Sequence, residues 1–519
     1  MEDQPEKACQ SVPAKDARLS TTEQGVCIDY NVTSVLATNR LQRFANRLDA
    51  AVGVEARGIE RVDPEARNQK CTLSDYLAVG VMWFSINCTA NQLTLGVLGP
   101  VAFGLGFVDS VLLCMFGTIF GSLCPGYIAG FGPLSGNRTL VIARYSMGWW
   151  PSRICVLLNL VIEVGYGLVN CVVAGLILSA VHGGGMSVIV GIVISALITW
   201  VITIFGIRWF HIVERWIAIP AVLVLFVLIG CASPHFNTGS TSKGSGATLA
   251  GNRLSYFFLT ASGPLGWTPA AADFFVYYPV STSRPMMCLM TTSGMTLGKL
   301  LIEFLGIGLG TGMTTNPQWA AAFSNSGLGA LVVSAYSPLQ GFGKFCAVIL
   351  ALGIAANTIP ATYAAGLNFQ QFGGPFVKVP RSIWVTVASA IYTVCAIAGR
   401  QHLLSIFLDF LSLIGYWVII WIAIVLEDEF IFRRKTGFNW EHWEDKSKLP
   451  VGVAAFISFL IGWAGAVLCM NQTYFQGPIA GLVGEYGADL GLPVAFAWTA
   501  ICYPPLRLLE DRILGQRNE

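Results

Sequence analysis

Charge is what this sequence has least of. Asp, Glu, Lys and Arg make up 12% of its 519 residues, against roughly a quarter in an ordinary soluble domain. Hydrophobic residues make up 54% and the mean hydropathy is +0.62, so a soluble globular fold is disfavoured. The net charge is only +2, and the positive residues fall in short clusters between apolar runs. That leaves no broad basic face for a nucleic-acid partner. No CxxC pair and no Cys/His ligand spacing occurs among the fourteen Cys; Cys114, Cys155, Cys171, Cys346 and Cys395 sit inside apolar runs and read as small buried residues, so no metal site is expected. The five His (His182, His211, His235, His402 and His442) are dispersed and build neither an HExxH nor a triad-like set, which argues against an enzyme and against a cofactor. The first seventy or so residues hold no apolar h-region, so no cleaved signal peptide is expected and the first span would direct insertion.

What is present is a succession of apolar runs. A helix needs about 20 apolar residues to cross hydrocarbon, and runs of that kind predict about twelve spans. They fall at approximately 75–101, 105–130, 151–180, 185–206, 209–232, 254–278, 288–312, 343–368, 381–398, 403–426, 449–470 and 482–506. The chain thus divides into an N-terminal tail (1–74), a transmembrane domain (75–506) and a C-terminal tail (507–519).

Basic residues fix the orientation, because Lys and Arg of short loops accumulate on the cytoplasmic side. With the N-terminus inside, the inner segments collect Arg57, Arg61, Arg67 and Lys70, then Arg138, Arg144 and Arg153, then Arg208, Arg284, Lys378 and Arg381, then Arg433, Arg434 and Lys435, and last Arg507, Arg512 and Arg517. The outer loops are nearly bare apart from Lys243, Arg253, Lys344 and Arg400. An even number of spans with both ends cytoplasmic follows. The outer segment 236–253, rich in Gly, Ser and Thr, reads as a flexible loop.

Two spans look broken, as spans that hold a substrate or ion at membrane depth often are. Span one (GVMWFSINCTANQLTLGVLGP) carries Ser85, Asn87, Thr89, Asn91 and Gln92; these read equally as interhelical hydrogen-bonding groups and as a site. Span six (FFLTASGPLGWTPAAADFFVYYP) brackets Trp267 with Gly263, Pro264, Gly266 and Pro269, which predicts a break near Trp267.

Ionisable residues inside spans are costly and usually functional. Glu163 in span three reads either as a carboxyl hydrogen-bonded to a neighbouring helix or as a proton-coupling group. Asp273 lies in the inner half of span six and Asp409 near the start of span ten. Lys299 and Glu303, four apart in span seven, are spaced for mutual neutralisation. Tyr166 and Asn170 in span three are also four apart and share a face. A ring for stacking and an amide for an edge suit a flat heterocycle, the stacking part worth about 1–3 kcal/mol where a base is involved. In span eight, Asn357 and Pro360 interrupt a small-residue helix; singly each such Asn is as good a helix contact as a ligand.

Taken together, GIERVDP before span one, WFSINCTANQLTLGVLGP within it, GPLSGNRTLVIARYSMGWWPSR leading into span three, GPLGWTPAAADFFVYYP in span six and IAANTIPATYAAGL in span eight resemble the nucleobase cation symporter family one, in its fungal purine and cytosine permease branch. The resemblance covers about residues 60–510. It implies an all-α, LeuT-like fold of ten core helices in two inverted five-helix repeats plus two C-terminal helices, with substrate held between spans one, three, six and eight. It places Ser85, Asn87, Asn170, Trp267 and Asn357 where the family binds its base, and Tyr166 where the family commonly has Trp.

The resemblance also bears on coupling. Sodium-coupled members place hydroxyl residues in span eight a little over a turn before the Asn; here Ala351 and Leu352 stand there, which favours a proton as coupling ion, with Glu163 and Asp273 as coupling candidates. The function so implied is secondary active uptake of cytosine or a purine base in the plasma membrane, with the lipid bilayer as surroundings. A carrier of uracil, allantoin, a nucleoside or a pyridoxine-type compound keeps the same fold, and a channel or non-transporting sensor is the reading from a different class.

Overall fold

Helix is the regular structure of this chain, as a backbone in hydrocarbon requires; among the described residues the one exception is an isolated β-bridge between Asn471 and Gln476. The structure is a computed structural model that describes residues 60–514 except 184, 206, 374, 377 and 378. The tail through residue 59, with Arg57, the end from 515, with Arg517, and Lys378 therefore lie outside the described residues, as does the side chain of Arg208.

The helices run α1 (Leu73–Asn87), α2 (Leu93–Ala102), α3 (Phe107–Ala129), α4 (Phe131–Ser135), α5 (Thr139–Met147), α6 (Ser152–Val181), α7 (Val188–Phe205), α8 (Ile207–Ala232), α9 (Gly246–Leu265), α10 (Arg284–Gly312), α11 (Pro317–Ala335), α12 (Gln340–Gln371), α13 (Arg381–Gly399), α14 (Leu403–Glu427), α15 (Val453–Cys469) and α16 (Gly491–Leu514). Among the described residues seven stretches are long and apolar enough to cross a membrane (107–135, 152–181, 284–312, 337–371, 381–399, 403–432 and 491–513), and 188–204, 219–235 and 453–469 are apolar but shorter. Spans one and six are the discontinuous pair. α1 stops at Asn87, Thr89 is extended, and a 3-10 turn (Ala90–Gln92) leads into α2. α9 stops at Leu265, and after Trp267 a 3-10 stretch (Thr268–Phe275) follows, with Pro264 in the last turn and Pro269 in the first.

Close packing explains where glycine falls. A Cβ on Gly96 would stand 2.1 Å from the Glu303 carbonyl oxygen, and one on Gly294 2.2 Å from that of Gly80, so α10 lies in van der Waals contact with both halves of span one. α12 and α6 pack along each other and complete the core around the breaks. Helix ends are capped by partners close and distant. Thr72 and Asp75 form a capping box on α1, worth about 1 kcal/mol by analogy with other caps. The Glu510 carboxylate of α16 accepts from the backbone of Gly452, Val453 and Ala454 and so satisfies the start of α15.

Two expectations are corrected, and one helix appears that the span reading did not address. The outer segment 236–253 is not one flexible loop: residues from Gly246 are the first turns of α9, and Ser240 and Ser242 accept from the backbone of Phe107 and Gly106. Ser240 and Ser242 thus cap the start of α3, while Thr238, Thr241, Lys243 and Ser245 face outward. Residues 317–335, placed in no span, form α11, started by Pro317 with Asn316 as N-cap and kinked at Ser326 and Gly327. The last helix starts at Gly491, not at 482, because residues 470–490 form a hairpin in which Gln476 donates to Asn471 and both donate to the Tyr486 carbonyl, while Gln472 donates to Asp489.

Candidate substrate site

The break in span one leaves carbonyl groups without helical partners, and span eight supplies one replacement. Asn357 Nδ2 of α12 donates to the Ile86 carbonyl at 2.8 Å. Ser85, Ile86, Cys88, Thr89, Asn357 and Pro360 line a cavity of about 40 Å³ beside this contact. That is room for a water and far below the roughly 300–1,000 Å³ of a formed small-molecule pocket, so the centre is closed here. A larger groove of about 1270 Å³ lies between the end of α6, the α11 kink and Arg400–His402, and no predicted site residue lines it.

Asn170 of α6 joins the same centre through a buried amide chain. Its Oδ1 accepts from Asn91 Nδ2 at 2.8 Å and its Nδ2 donates to Thr358 Oγ1 at 3.0 Å, while Thr89 Oγ1 donates to Asn91 Oδ1 at 2.6 Å. Spans one, three and eight are thus tied by side chains. An amide has two N–H groups and two acceptor sites, so Asn170 keeps one of each.

Span six presents its break to span three. Tyr166 donates to the Gly263 carbonyl at 3.2 Å, and a Cβ on Gly266 would be 2.6 Å from the Tyr166 hydroxyl. The far side of the ring meets Phe410 edge-on at 5.3 Å. Trp267 stands edge-on to Trp83 at 5.6 Å. Trp83 Nε1 and Asn87 Oδ1 are buried, and neither has a hydrogen-bond partner among the described residues, while Asn87 Nδ2 donates to the Trp83 carbonyl. One orphan donor and one orphan acceptor therefore lie a turn apart beside the aromatic pair; such groups are costly unless something completes them.

The predicted residues thus gather as two linked sets: Ser85 with Asn357 at the cavity, and Tyr166 and Trp267 with Asn87 and Asn170 at the breaks. Asn91, one of the polar residues noted in span one, lies with them, as do Trp83 and Thr358, which the sequence reading did not single out. Trp83 could have been found as the residue four before Asn87, on the same helix face.

The carboxyls divide by role. Glu163 is buried, with Asn159 a turn earlier as its hydrogen-bonding neighbour and Asp273 near enough to repel it. Asp273 is engaged at the inner end: its Oδ1 accepts from the Thr139 backbone at 2.6 Å and hydroxyl at 2.8 Å, and its Oδ2 is 4.0 Å from Arg138 Nη1. It pins span six to the start of α5. Lys299 and Glu303 do pair, at 3.5 Å and almost wholly buried, as their spacing predicted. Lys299 also donates to Gln92 Oε1 at 2.7 Å, in the span-one turn, while Cys114 and Thr118 donate to Glu303 Oε2. Buried charges need such company.

Two discontinuous helices set against continuous ones, with polar groups converging where both break, define a membrane carrier fold. The comparisons agree. Residues 67–487 match the family described as permease for cytosine/purines, uracil, thiamine, allantoin, and the chain belongs to that family. The purine-cytosine permease fcyB of Emericella nidulans is 33% identical over 472 residues, covering 91% of each chain. The vitamin B6 transporter TPN1 of Saccharomyces cerevisiae is 31% identical over 530 residues, covering 92% of this chain and 91% of that one. In fold, the chain is similar to Mhp1, a nucleobase-cation-symport-1 family transporter, in a closed conformation with bromovinylhydantoin bound, at a TM-score of 0.59 and 13% identity over 88% of this chain and 95% of that one.

Proposed function

We propose that the protein imports cytosine or a purine base by proton symport through alternating access. In this reading it has twelve spans in a five-plus-five inverted repeat with two C-terminal helices, lies in the plasma membrane, and keeps both termini in the cytoplasm. The observation that carries it is the convergence of Tyr166, Trp267 and Asn357 on the two helix breaks, beside the orphaned Trp83 Nε1 and Asn87 Oδ1. A flat base stacks on the rings and completes the orphaned groups through its edge, with Ser85 and Asn170 completing the shell. The cavity of about 40 Å³ must widen to admit it, and opening one side at a time is alternating access. Proton coupling is supported by Ala351 and Leu352, which offer no side-chain oxygen in the stretch of α12 before Asn357, and by Glu163, a buried carboxyl within reach of the field of Asp273.

A second reading, a pyridoxine-type substrate, is favoured by Tyr166: its hydroxyl adds a polar group to the stacking face and matches a hydroxylated pyridine better than an indole would. The vitamin B6 transporter among the relatives supports the same alternative.

Uptake of labelled cytosine, adenine, hypoxanthine, uracil and pyridoxine in cells lacking their own carriers, with and without a protonophore, separates the readings. Protonophore-sensitive base uptake that disappears in Asn357→Ala at matched surface level is the expected result. Pyridoxine uptake without base uptake replaces the substrate, and no concentrative uptake of any compound overturns the carrier reading.

A further inference from the structure

The hairpin between α15 and α16 carries a carboxylate for which the site above has no use. Asp489 is 7% exposed, and it joins three separate elements. Its Oδ2 accepts from Tyr416 of α14 at 2.6 Å and from Gln472 of the hairpin at 2.6 Å; its Oδ1 accepts from the Gly491 backbone at 3.0 Å; and its own N–H donates to Ser255 of α9 at 2.8 Å. The other groups that face it are Ser412 of α14, Cys469 of α15 and Tyr474 of the hairpin, and among the described residues no cation pairs with it. A buried carboxylate without a cation is a place where a proton is welcome, because protonation removes the charge from a low-dielectric setting.

The position matters as much as the chemistry. Tyr416, which holds Asp489, follows Gly415, whose Cβ would lie 2.1 Å from Ser262 Oγ in α9. Ser262 precedes Gly263, the carbonyl to which Tyr166 donates. Asp489 therefore grips the outer half of span six through Ser255 and reaches the edge of the break through α14. Asp409 secures the same hairpin by accepting from the backbone and hydroxyl of Thr473.

We propose that Asp489 is a proton-binding site on the outer face, and that its occupancy sets how firmly the outer half of span six is held. The inference rests on the transport reading and gives its coupling a point of entry on the external side, distinct from Glu163. Outside the helical spans, burial raises the Asp489 carboxyl from its ordinary 3.8 to about 6. A raised value in the folded state means that the fold binds the proton more tightly than the unfolded chain does. The stabilisation is complete below about pH 4 and is lost as pH rises through about 6.

The test uses the full chain. Hydrogen exchange of the purified protein at pH 5 and 7.5, corrected for the intrinsic rate, should show peptides covering 470–490 and 250–265 several-fold better protected in acid. Asp489→Asn should remove that difference. Tyr416→Phe, which takes a donor from the charged form, should move the midpoint to higher pH, and it serves as a second reading if the Asn variant is poorly folded. In uptake, the KM of the transported compound should rise several-fold from pH 5 to 7.5 in the wild type and rise clearly less in Asp489→Asn, in which Glu163 still couples the proton, while Glu163→Gln keeps the exchange difference. Equal exchange in both media for the wild type, or an unchanged difference in Asp489→Asn together with an unmoved midpoint in Tyr416→Phe, overturns the proposal. Absence of uptake with a normal exchange response overturns the transport reading alone.

Discussion

Asn91 Nδ2 and Asn170 Oδ1 meet at 2.8 Å, which ties the turn inside span one to the middle of span three. Neither side chain is solvated, and each has a second partner, Thr89 for Asn91 and Thr358 for Asn170. Removing one amide leaves the other with a buried group unmet, at a cost of about 1–3 kcal/mol. Asn91→Ala should therefore raise KM for the transported compound about 5- to 100-fold at near-normal surface level. Asn170→Ala should do the same or worse. The double variant should fall short of the sum, since the shared bond is lost only once. Additive losses in that cycle would show that the two amides act separately.

The breaks were legible in the sequence because proline, glycine and clustered amides inside apolar runs have few other uses. Tyr166 with Asn170, and Lys299 with Glu303, were legible because helical spacing alone places each pair on one face. The partners across helices were not. Nothing local says that Asn170 would meet Asn91 seventy-nine positions away, that Lys299 would reach Gln92, or that Asp273 would find Thr139. α11 and the hairpin before α16 escaped for a different reason: hydropathy measures fitness to cross a membrane, and these segments lie between crossings.

Lys299 and Glu303 make a prediction about stability. Each is nearly inaccessible, and each counts on the other: Glu303 Oε1 has no hydrogen-bond partner among the described residues, with Lys299 Nζ at 3.5 Å its compensating charge. Removing one member of a buried pair costs about 3–5 kcal/mol, whereas replacing both by apolar residues of similar volume is often neutral. Lys299→Met and Glu303→Met should each lower the melting temperature sharply in detergent, and Lys299→Met/Glu303→Met should recover most of the loss. The double variant should still transport poorly, because Gln92 in the span-one turn has lost its ammonium partner. Full activity in the recovered variant would remove Lys299 from any part in placing that turn.

Asp273 separates two roles that its sequence position leaves together. As the acceptor for Thr139 and the counter-ion of Arg138 it is a structural pin, and an amide in its place can still accept from Thr139. Asp273→Asn should accordingly keep concentrative uptake within a few-fold of wild type, while Asp273→Ala should cut the amount of folded protein. The result that would sink this assignment is an Asp273→Asn protein that exchanges substrate across the membrane normally yet no longer accumulates it, the behaviour of a lost proton-coupling carboxyl.

The contact between Tyr166 and the span-six break makes the sharpest steric prediction. A methyl on Gly266 would meet the Tyr166 hydroxyl at 2.6 Å, whereas the nearest ring carbons stand at 3.1 and 3.3 Å. The obstruction is thus chiefly one oxygen atom. Gly266→Ala should leave the amount of folded protein close to normal but suppress uptake at least tenfold, since either the ring must tilt off the stacking position or the break must move. Tyr166→Phe alone loses only the bond to the Gly263 carbonyl, worth about 1 kcal/mol, and should transport within several-fold of wild type. Combining the two should restore much of what Gly266→Ala lost, because the colliding atom is gone and the remaining 3.1 Å approach needs a shift of only a few tenths of an ångström. Uptake kinetics at matched surface level decide the point. If Gly266→Ala/Tyr166→Phe is no better than Gly266→Ala, the glycine is needed for the backbone of the break itself and not for the ring that lies against it.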